Sequence, residues 1–271
     1  MSDDKVLLPV LKWAGGKRWL SSSHPDLFPK NFNRYIEPFL GGGAVFFHLH
    51  PKKAVLGDLN ADLIAFYEVL RDDWENLVSR LRQHHKKHSN SYYYQIRSSR
   101  PTSKVGKAAK FLYLNRTCFN GLYRVNLKGE FNVPIGSKTW VISEDDDFES
   151  LANALSGARL VQSDFQGVVA QARKGDLLYV DPPYTVQHNF NNFIKYNEKL
   201  FSWEDQKRLR DSLFDARDRG VHVVLSNADH ESIRKLYAGF GEKVPVERSS
   251  KLAADASKRR STTELVFRTT Y

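Results

Sequence analysis

Short apolar runs alternate with stretches of helical period at the two ends of the chain, while the middle follows a different pattern. Residues 34–38 read as a strand running into Gly41-Gly42-Gly43, and 44–49 behind the glycines has helical spacing. Residues 54–56 form a second short strand that stops at Gly57-Asp58. Further on, 159–161 and 177–180 read as strands, 203–219 as a helix, 221–225 as a strand, and 265–268 as a final extended stretch. This alternation predicts a mostly parallel sheet with helices on both faces.

In the middle, 73–88 and 104–114 carry apolar residues at helical spacing, among them Leu77, Leu81, Phe111 and Leu114. Residues 120–136 are rich in Gly, Asn and Pro, which predicts a loop or hairpin. The block from about 71 to 144 therefore reads as an insertion. Asp145-Asp146-Asp147 marks the return to the α/β part, as a helix start.

Charge sharpens that division. The chain of 271 residues has a formal net charge of +10, yet 76–129 holds no Asp or Glu against twelve Lys and Arg. The remainder carries 29 basic and 31 acidic side chains, so the whole excess lies in one block. A single-sign field of this kind opposes compaction and calls for a polyanionic partner. Nucleic acid is favoured over an anionic membrane, because no amphipathic lipid-anchoring pattern accompanies the charge. One cysteine, Cys118, excludes a disulfide framework and a cysteine-based zinc site, and it reads as structural. No stretch reaches transmembrane length and Met1-Ser2-Asp3-Asp4 is not a signal peptide, so a cytoplasmic location is expected.

The most informative feature is Asp181-Pro182-Pro183-Tyr184 directly after the apolar run Leu177-Leu178-Tyr179-Val180. Two prolines end the strand, so a carboxylate, a rigid bend and an aromatic ring are set together at its carboxyl end. In open α/β sheets that edge is where ligands bind. Glu37-Pro38-Phe39-Leu40-Gly41-Gly42-Gly43 puts glycines where a strand must turn and a ligand can approach the backbone, but it lacks the Gly-x-Gly-x-x-Gly dinucleotide pattern. Asp58, at the end of the next strand, is placed to accept from a ribose hydroxyl pair. Together they favour a nucleoside-type cofactor over a plain turn. Lys12-Trp13-Ala14-Gly15-Gly16-Lys17 is no phosphate loop, because Leu11 and Arg18 stand where Gly and Ser or Thr are needed. It leaves a Trp face and a Lys on a turn, suited to stacking and to a carboxylate. His84, His85 and His88 share one predicted helix, and a solvated basic face is the favoured reading over a metal site.

In this order, these elements resemble the Dam family of adenine-N6 DNA methyltransferases, in the α-group arrangement, across essentially the whole chain. The resemblance implies a Rossmann-like methyltransferase sheet carrying an inserted, mainly helical DNA-recognition domain that contains a β-hairpin. The catalytic domain would comprise 1–70 and 145–271, and the target-recognition domain 71–144. It implies S-adenosyl-L-methionine (AdoMet) as cofactor, with S-adenosyl-L-homocysteine as product and no metal. It further implies duplex DNA as partner, a monomer in solution, no membrane, and association with the nucleoid through DNA.

Carried over by residue, Trp13 and Lys17 would contact the methionine end of AdoMet, Asp58 the ribose, and Asp164 with Phe165 the adenine. Phe39 and Gly41 would line the same cofactor, and Asp181 would serve both cofactor and target. The N6 amine of adenine is a poor nucleophile because its lone pair is delocalised into the ring. Asp181 and the Pro182 carbonyl can accept its two N–H bonds, which favours a pyramidal nitrogen, and Tyr184 offers a stacking face to a base flipped from the duplex. Direct in-line transfer then needs no covalent enzyme intermediate.

Residues 115–134 resemble the hairpin by which GATC-methylating members read DNA. Arg124 matches the guanine reader, Leu122 and Pro134 match the residues that face the thymine methyl, and Lys12 matches one that contacts the other end of the site. Arg116 and Asn120 join the DNA set. Phe119 stands where many relatives have Tyr, and keeps the ring that wedges into the duplex. Residues 187–201, rich in Asn and carrying Lys195 and Lys199, read as a loop that orders on DNA. The expected activity is AdoMet-dependent adenine-N6 methylation of duplex DNA at GATC. The rival readings are a longer site beginning with GAT and a sequence-specific DNA-binding protein that has lost catalysis. An N4-cytosine methyltransferase, which more often carries Ser at the position of Asp181, is disfavoured.

Overall fold

The computed structural model describes residues 6–126, 128–186, 201–249 and 261–269. The chain folds as two compact units: Met1–Pro25, Leu40–Ala54 and Asp58–Gln162 in the first, Asp26–Phe39, Val55–Gly57 and Ser163–Tyr271 in the second. Among the described residues, seven strands make one sheet: β1 (Tyr35–Glu37), β2 (Ala54–Asp58), β3 (Ala158–Gln162), β4 (Leu177–Val180), β5 (His222–Ala228), β6 (Glu242–Ser249) and β7 (Ser261–Thr269). Their order is β3-β2-β1-β4-β5-β7-β6. The mixed α/β sheet agrees with the Rossmann-like methyltransferase architecture implied by the sequence.

Sequence order reverses direction at the neighbours β1 and β4, so the crevice for a ligand in such a sheet opens beyond the carboxyl ends of these strands. Both belong to the second unit, where β1 pairs with β4 in parallel (Tyr35↔Leu177, Ile36↔Leu178) and β4 with β5 in parallel. β4 is buried along its length, which suits its unbroken apolar run. β7 lies antiparallel between β5 and β6, so the parallel sheet expected from the sequence carries an antiparallel edge. At that edge β6 accommodates Pro245 and four charged residues, because an edge strand can lack a ladder donor.

The helices of the first unit are α1 (Arg18–Ser23), α2 (Ala44–Leu49), α3 (Ala61–Asp72), α4 (Trp74–Lys87), α5 (Asn90–Ser98), α6 (Lys104–Thr117) and α7 (Phe148–Leu155). α6 packs against α3, α4 and α5 and is buried from Phe111 to Thr117, a helix enclosed by its neighbours rather than amphipathic. α7 starts where the acidic triplet predicts, with Asp147 as its N-cap accepting from the Ser150 N–H at 3.0 Å. In the second unit α8 (Phe165–Val169), α9 (Trp203–Asp218) and α10 (Glu231–Leu236) accompany the strands. α9 packs on β5, and its Leu209, Leu213 and Ala216 are fully buried.

The histidines of α4 correct the sequence reading. His84 is buried, continuing the stripe of Leu77, Val78 and Leu81, and its Nδ1 pairs with the Tyr92 hydroxyl at 2.8 Å. His88 Nδ1 pairs with the Tyr113 hydroxyl at 2.9 Å, and His85 Nδ1 accepts from the Val141 N–H at 3.1 Å. Burial, with Arg80 and Lys87 nearby, lowers the His84 pKa to about 4. His84 and His88 thus belong to a packed His/Tyr cluster, while His85 stays on the exposed basic face with Lys86 and Lys87.

Candidate active site

In the second unit, the prolines end β4 at Val180, and Asp181, Pro182, Pro183 and Tyr184 follow as irregular chain. Pro182 is buried, whereas Asp181 and Tyr184 are half-buried. The Tyr184 hydroxyl donates to Glu264 Oε2 at 2.8 Å and pairs with Ser226 Oγ at 2.8 Å. Burial, reinforced by the charges of Asp181 and Glu264, holds that hydroxyl well above its ordinary pKa, against the Ser226 hydrogen bond. Tyr184 is therefore a neutral donor. At the end of β1, Glu37 is buried and accepts from the Tyr35 hydroxyl at 3.0 Å. The Tyr35 and Tyr179 hydroxyls are also raised, by burial first and then by the nearby carboxylates, Asp181 among them.

The same unit brings three expected cofactor residues together. Phe39 stacks on Phe165 with ring centres 5.6 Å apart, and Phe201 meets both rings edge-on. Asp164 N-caps α8, its Oδ1 accepting from the Gln166 N–H at 3.0 Å. Arg208 of α9 donates to the same oxygen at 3.1 Å, and its guanidinium carbon lies 5.0 Å from the centre of the Phe165 ring. Of the Asn-rich segment, 187–200, with Lys195 and Lys199, lies outside the described residues.

In the first unit, Asp58 closes β2 and its two oxygens accept the backbone N–H groups of Gly41 (3.0 Å) and Asn60 (2.9 Å). Burial raises its carboxyl above the ordinary value, against the pull of these donors. Gly41 has φ +48°, and a Cβ there would sit 2.7 Å from Trp13 Cδ1, so both the turn and the indole demand glycine. Trp13 stacks on Tyr123 with ring centres 5.5 Å apart, and Tyr123 donates to Asp62 Oδ2 at 3.0 Å. Lys17, read as a Lys on a turn, is buried there, with Nζ donating to the Gly15 carbonyl at 3.1 Å.

The segment after α6 is the expected hairpin. Phe119 N–H donates to Pro134 O at 2.9 Å, Asn126 N–H to Glu130 O at 2.9 Å, and Asn132 N–H to Arg124 O at 3.2 Å. Phe119 and Leu122 stand 54% and 41% exposed, large apolar side chains that nothing in this unit covers fully. Asn120, Arg124 and Pro134 are exposed as well. Arg124 Nε donates to Asn132 Oδ1 at 2.9 Å, which orients the guanidinium from within the hairpin. Lys12 is brought to the hairpin base, where Asn115 brackets its backbone N–H and carbonyl (3.0 and 2.8 Å).

Arg116, grouped with the DNA contacts from the sequence, is placed otherwise. It is buried, donates to the carbonyls of Val10 and Val141, and forms a two-pronged ion pair with Asp146. A guanidinium so committed holds internal segments together and is not presented to a phosphate. Cys118 fits its structural reading, since burial pushes its thiol up to about 11.

The family model for D12 class N6 adenine-specific DNA methyltransferases matches residues 13–250. The chain belongs to that family. A D12 methyltransferase is an adenine-specific DNA methyltransferase, and its relatives carry consistent names. The chain is 39% identical to the type II methyltransferase M1.LlaDCHI of Lactococcus lactis, over 96% of this chain and 94% of that protein. It is 35% identical to the type II methyltransferase M.MjaIII of Methanocaldococcus jannaschii, over 92% and 95%. It is 32% identical to the DNA adenine methylase of Haemophilus influenzae, over 95% and 92%.

Residues of this D12 enzyme that sequence reasoning missed are Glu264, Ser226, Arg208 and Tyr123. Each acts on an expected site residue from far along the chain. Only Glu264 had a local signal: a lone acid at the start of the apolar stretch Leu265-Val266-Phe267. Among the described residues no helix is long and apolar enough to cross a membrane.

Proposed function

We propose that this methyltransferase moves the methyl group of AdoMet to N6 of adenine within GATC in duplex DNA. We take 71–144 as its target-recognition part and the strand ends as its chemical centre. The observation that carries the sequence preference is the hairpin, whose exposed groups are an arginine, two apolar side chains that suit a thymine methyl, and an aromatic wedge. Arg124 would pair with one guanine, Leu122 and Pro134 would face thymine, Phe119 would enter the stack, and Lys12 would read the other end of the site.

The residues present suit AdoMet. Asp58 takes one backbone N–H on each oxygen, which leaves acceptor capacity on both for ribose hydroxyls. Trp13, Lys17 and Gly41 would serve the methionine end, and Phe39, Asp164 and Phe165 the adenine. When bound, AdoMet supplies a methyl group made electrophilic by its sulfonium. Asp181 and the Pro182 carbonyl accept the two N6 hydrogens of a flipped adenine, directing the nitrogen lone pair outward. The Tyr184 ring holds the base by stacking, and the Asp181 carboxylate takes the proton that N6 sheds as its bond to carbon forms. Orientation of this kind removes much of the entropic barrier.

The test is transfer of labelled methyl to duplex oligonucleotides that carry GATC or single-base variants of it. GATC alone should be a good substrate. Equal transfer to duplexes altered at the last base pair would favour the alternative of a longer site beginning with GAT. Transfer to none of them would leave a DNA-binding protein without catalysis.

A further inference from the structure

Two polar contacts of Tyr184 come from strands far from the tetrad in sequence. In the antiparallel pairing of β5 and β7, Ser226 faces Val266 and Ala228 faces Glu264. Directly opposed residues point to one side of a sheet and alternate residues share it, so Ser226 and Glu264 lie on the same face. Both are buried, Ser226 fully and Glu264 with 4% of its surface exposed. They approach one another at 3.5 Å (Ser226 Oγ to Glu264 Oε2), and the Tyr184 hydroxyl closes the triangle at 2.8 Å to each. One proton assignment satisfies all three groups: Ser226 donates to the phenol oxygen, and the phenol donates to the carboxylate. A buried carboxylate is costly unless it receives strong donors, so this arrangement resists any rotation that would withdraw the phenol.

Tyr184 needs its ring held in place if it is to stack on an extruded base. Two bonds to the para oxygen fix the one end of the ring that the backbone does not. We propose that Glu264, assisted by Ser226, is a positioning residue for methyl transfer: it anchors the far end of the Tyr184 ring and thereby the stacking surface offered to the target adenine. This rests on the reading of Tyr184 as the stacking ring. Glu264 touches neither adenine nor cofactor in this account.

The experiment compares Glu264→Ala, Glu264→Gln, Tyr184→Phe and the Glu264→Ala/Tyr184→Phe double variant by steady-state kinetics on GATC duplex. A companion readout is the fluorescence of 2-aminopurine at the target position, which reports extrusion and stacking. Loss of a charge-assisted hydrogen bond predicts that kcat falls about 10- to 100-fold in Glu264→Ala. The KM for AdoMet should stay within about threefold, since no ground-state cofactor contact is removed. Tyr184→Phe should show a similar fall, and the double variant should fall no further, because both remove the same bond. Glu264→Gln retains an acceptor and should recover most of the activity. A merely structural role would lower Tm without this non-additivity or this rescue. If Glu264→Ala is insoluble, Glu264→Gln, Ser226→Ala and Tyr184→Phe make the same comparison. Multiplying losses in the double variant, or a wild-type kcat in Glu264→Ala, would overturn the proposal. Tyr184→Ala separates the two layers: unchanged kcat and fluorescence there would sink the stacking reading with it, whereas a collapse beside a wild-type Glu264→Ala would sink the anchor alone.

Discussion

At the end of β4, Tyr184 is tied by its hydroxyl to two buried residues, and Glu37 accepts from the buried Tyr35 close to the same strand end. In the hairpin after α6, Phe119, Leu122, Arg124 and Pro134 stand exposed, held mainly by backbone bonds beneath them. Under the proposed function, the difference follows from what each region must do. Methyl transfer needs a few atoms fixed before the substrate arrives, and buried hydrogen bonds provide that order. Reading a duplex needs side chains free to meet base edges, so the scaffold orders the backbone and leaves the tips in water. Arg116 and Arg124 show both solutions within one basic block: one is spent inside the protein, the other is offered outward.

The largest effect expected is at the fixed region. Asp181→Ala should lower methyl transfer at least about 10²–10⁴-fold, since it removes the acceptor of the N6 proton. DNA affinity, measured by anisotropy, should stay within a few-fold, and retained turnover would break the contrast at its strongest point. Next, Arg116→Ala should act on stability. Removing one partner of a buried ion pair leaves Asp146 uncompensated and costs about 3–5 kcal/mol, readable as a lower urea midpoint. The surviving folded enzyme should keep its base preference; a selective loss of discrimination would return Arg116 to the DNA.

Arg124→Ala should do the reverse. Stability should hold, and discrimination at one guanine should fall by about 1–3 kcal/mol in competition between duplexes. The smallest effect concerns the His/Tyr cluster. The folded pKa of His84, about 4, lies below its ordinary value of 6.5, so the unfolded chain binds more protons between the two. Its contribution to stability is complete above pH 6.5 and drains away as the pH falls towards 4. A Tm series over that window should slope down with acid, and His84→Gln should flatten the slope.

Much of this was legible because the decisive signals are local. Two prolines after an apolar run fix the end of β4, and a strand followed by three glycines fixes the start of α2, so both elements have the bounds read from the sequence. α5 escaped notice because only Tyr93 of its nine residues is buried, leaving no apolar stripe. β6 escaped because charges and Pro245 are permitted on an edge. His84 looked solvated beside Lys86 and Lys87, although its spacing from Leu77 and Leu81 already put it on the inner face of α4. The partners of the site residues were illegible for a different reason. Tyr184 and Glu264 are 80 residues apart, and Asp164 and Arg208 are 44. Only the folded sheet and the packed helices bring such pairs together.

The proposed function requires that a fixed chemical centre serve an exposed reader of GATC. It is tested most directly by expressing the chain in a host lacking adenine methylation and mapping modified bases by single-molecule sequencing. N6-methyladenine should appear at GATC and nowhere else, be absent with Asp181→Ala, and spread to sites altered at one guanine with Arg124→Ala. Methylation confined to a motif without GAT, or a motif unchanged by Arg124→Ala, would contradict it.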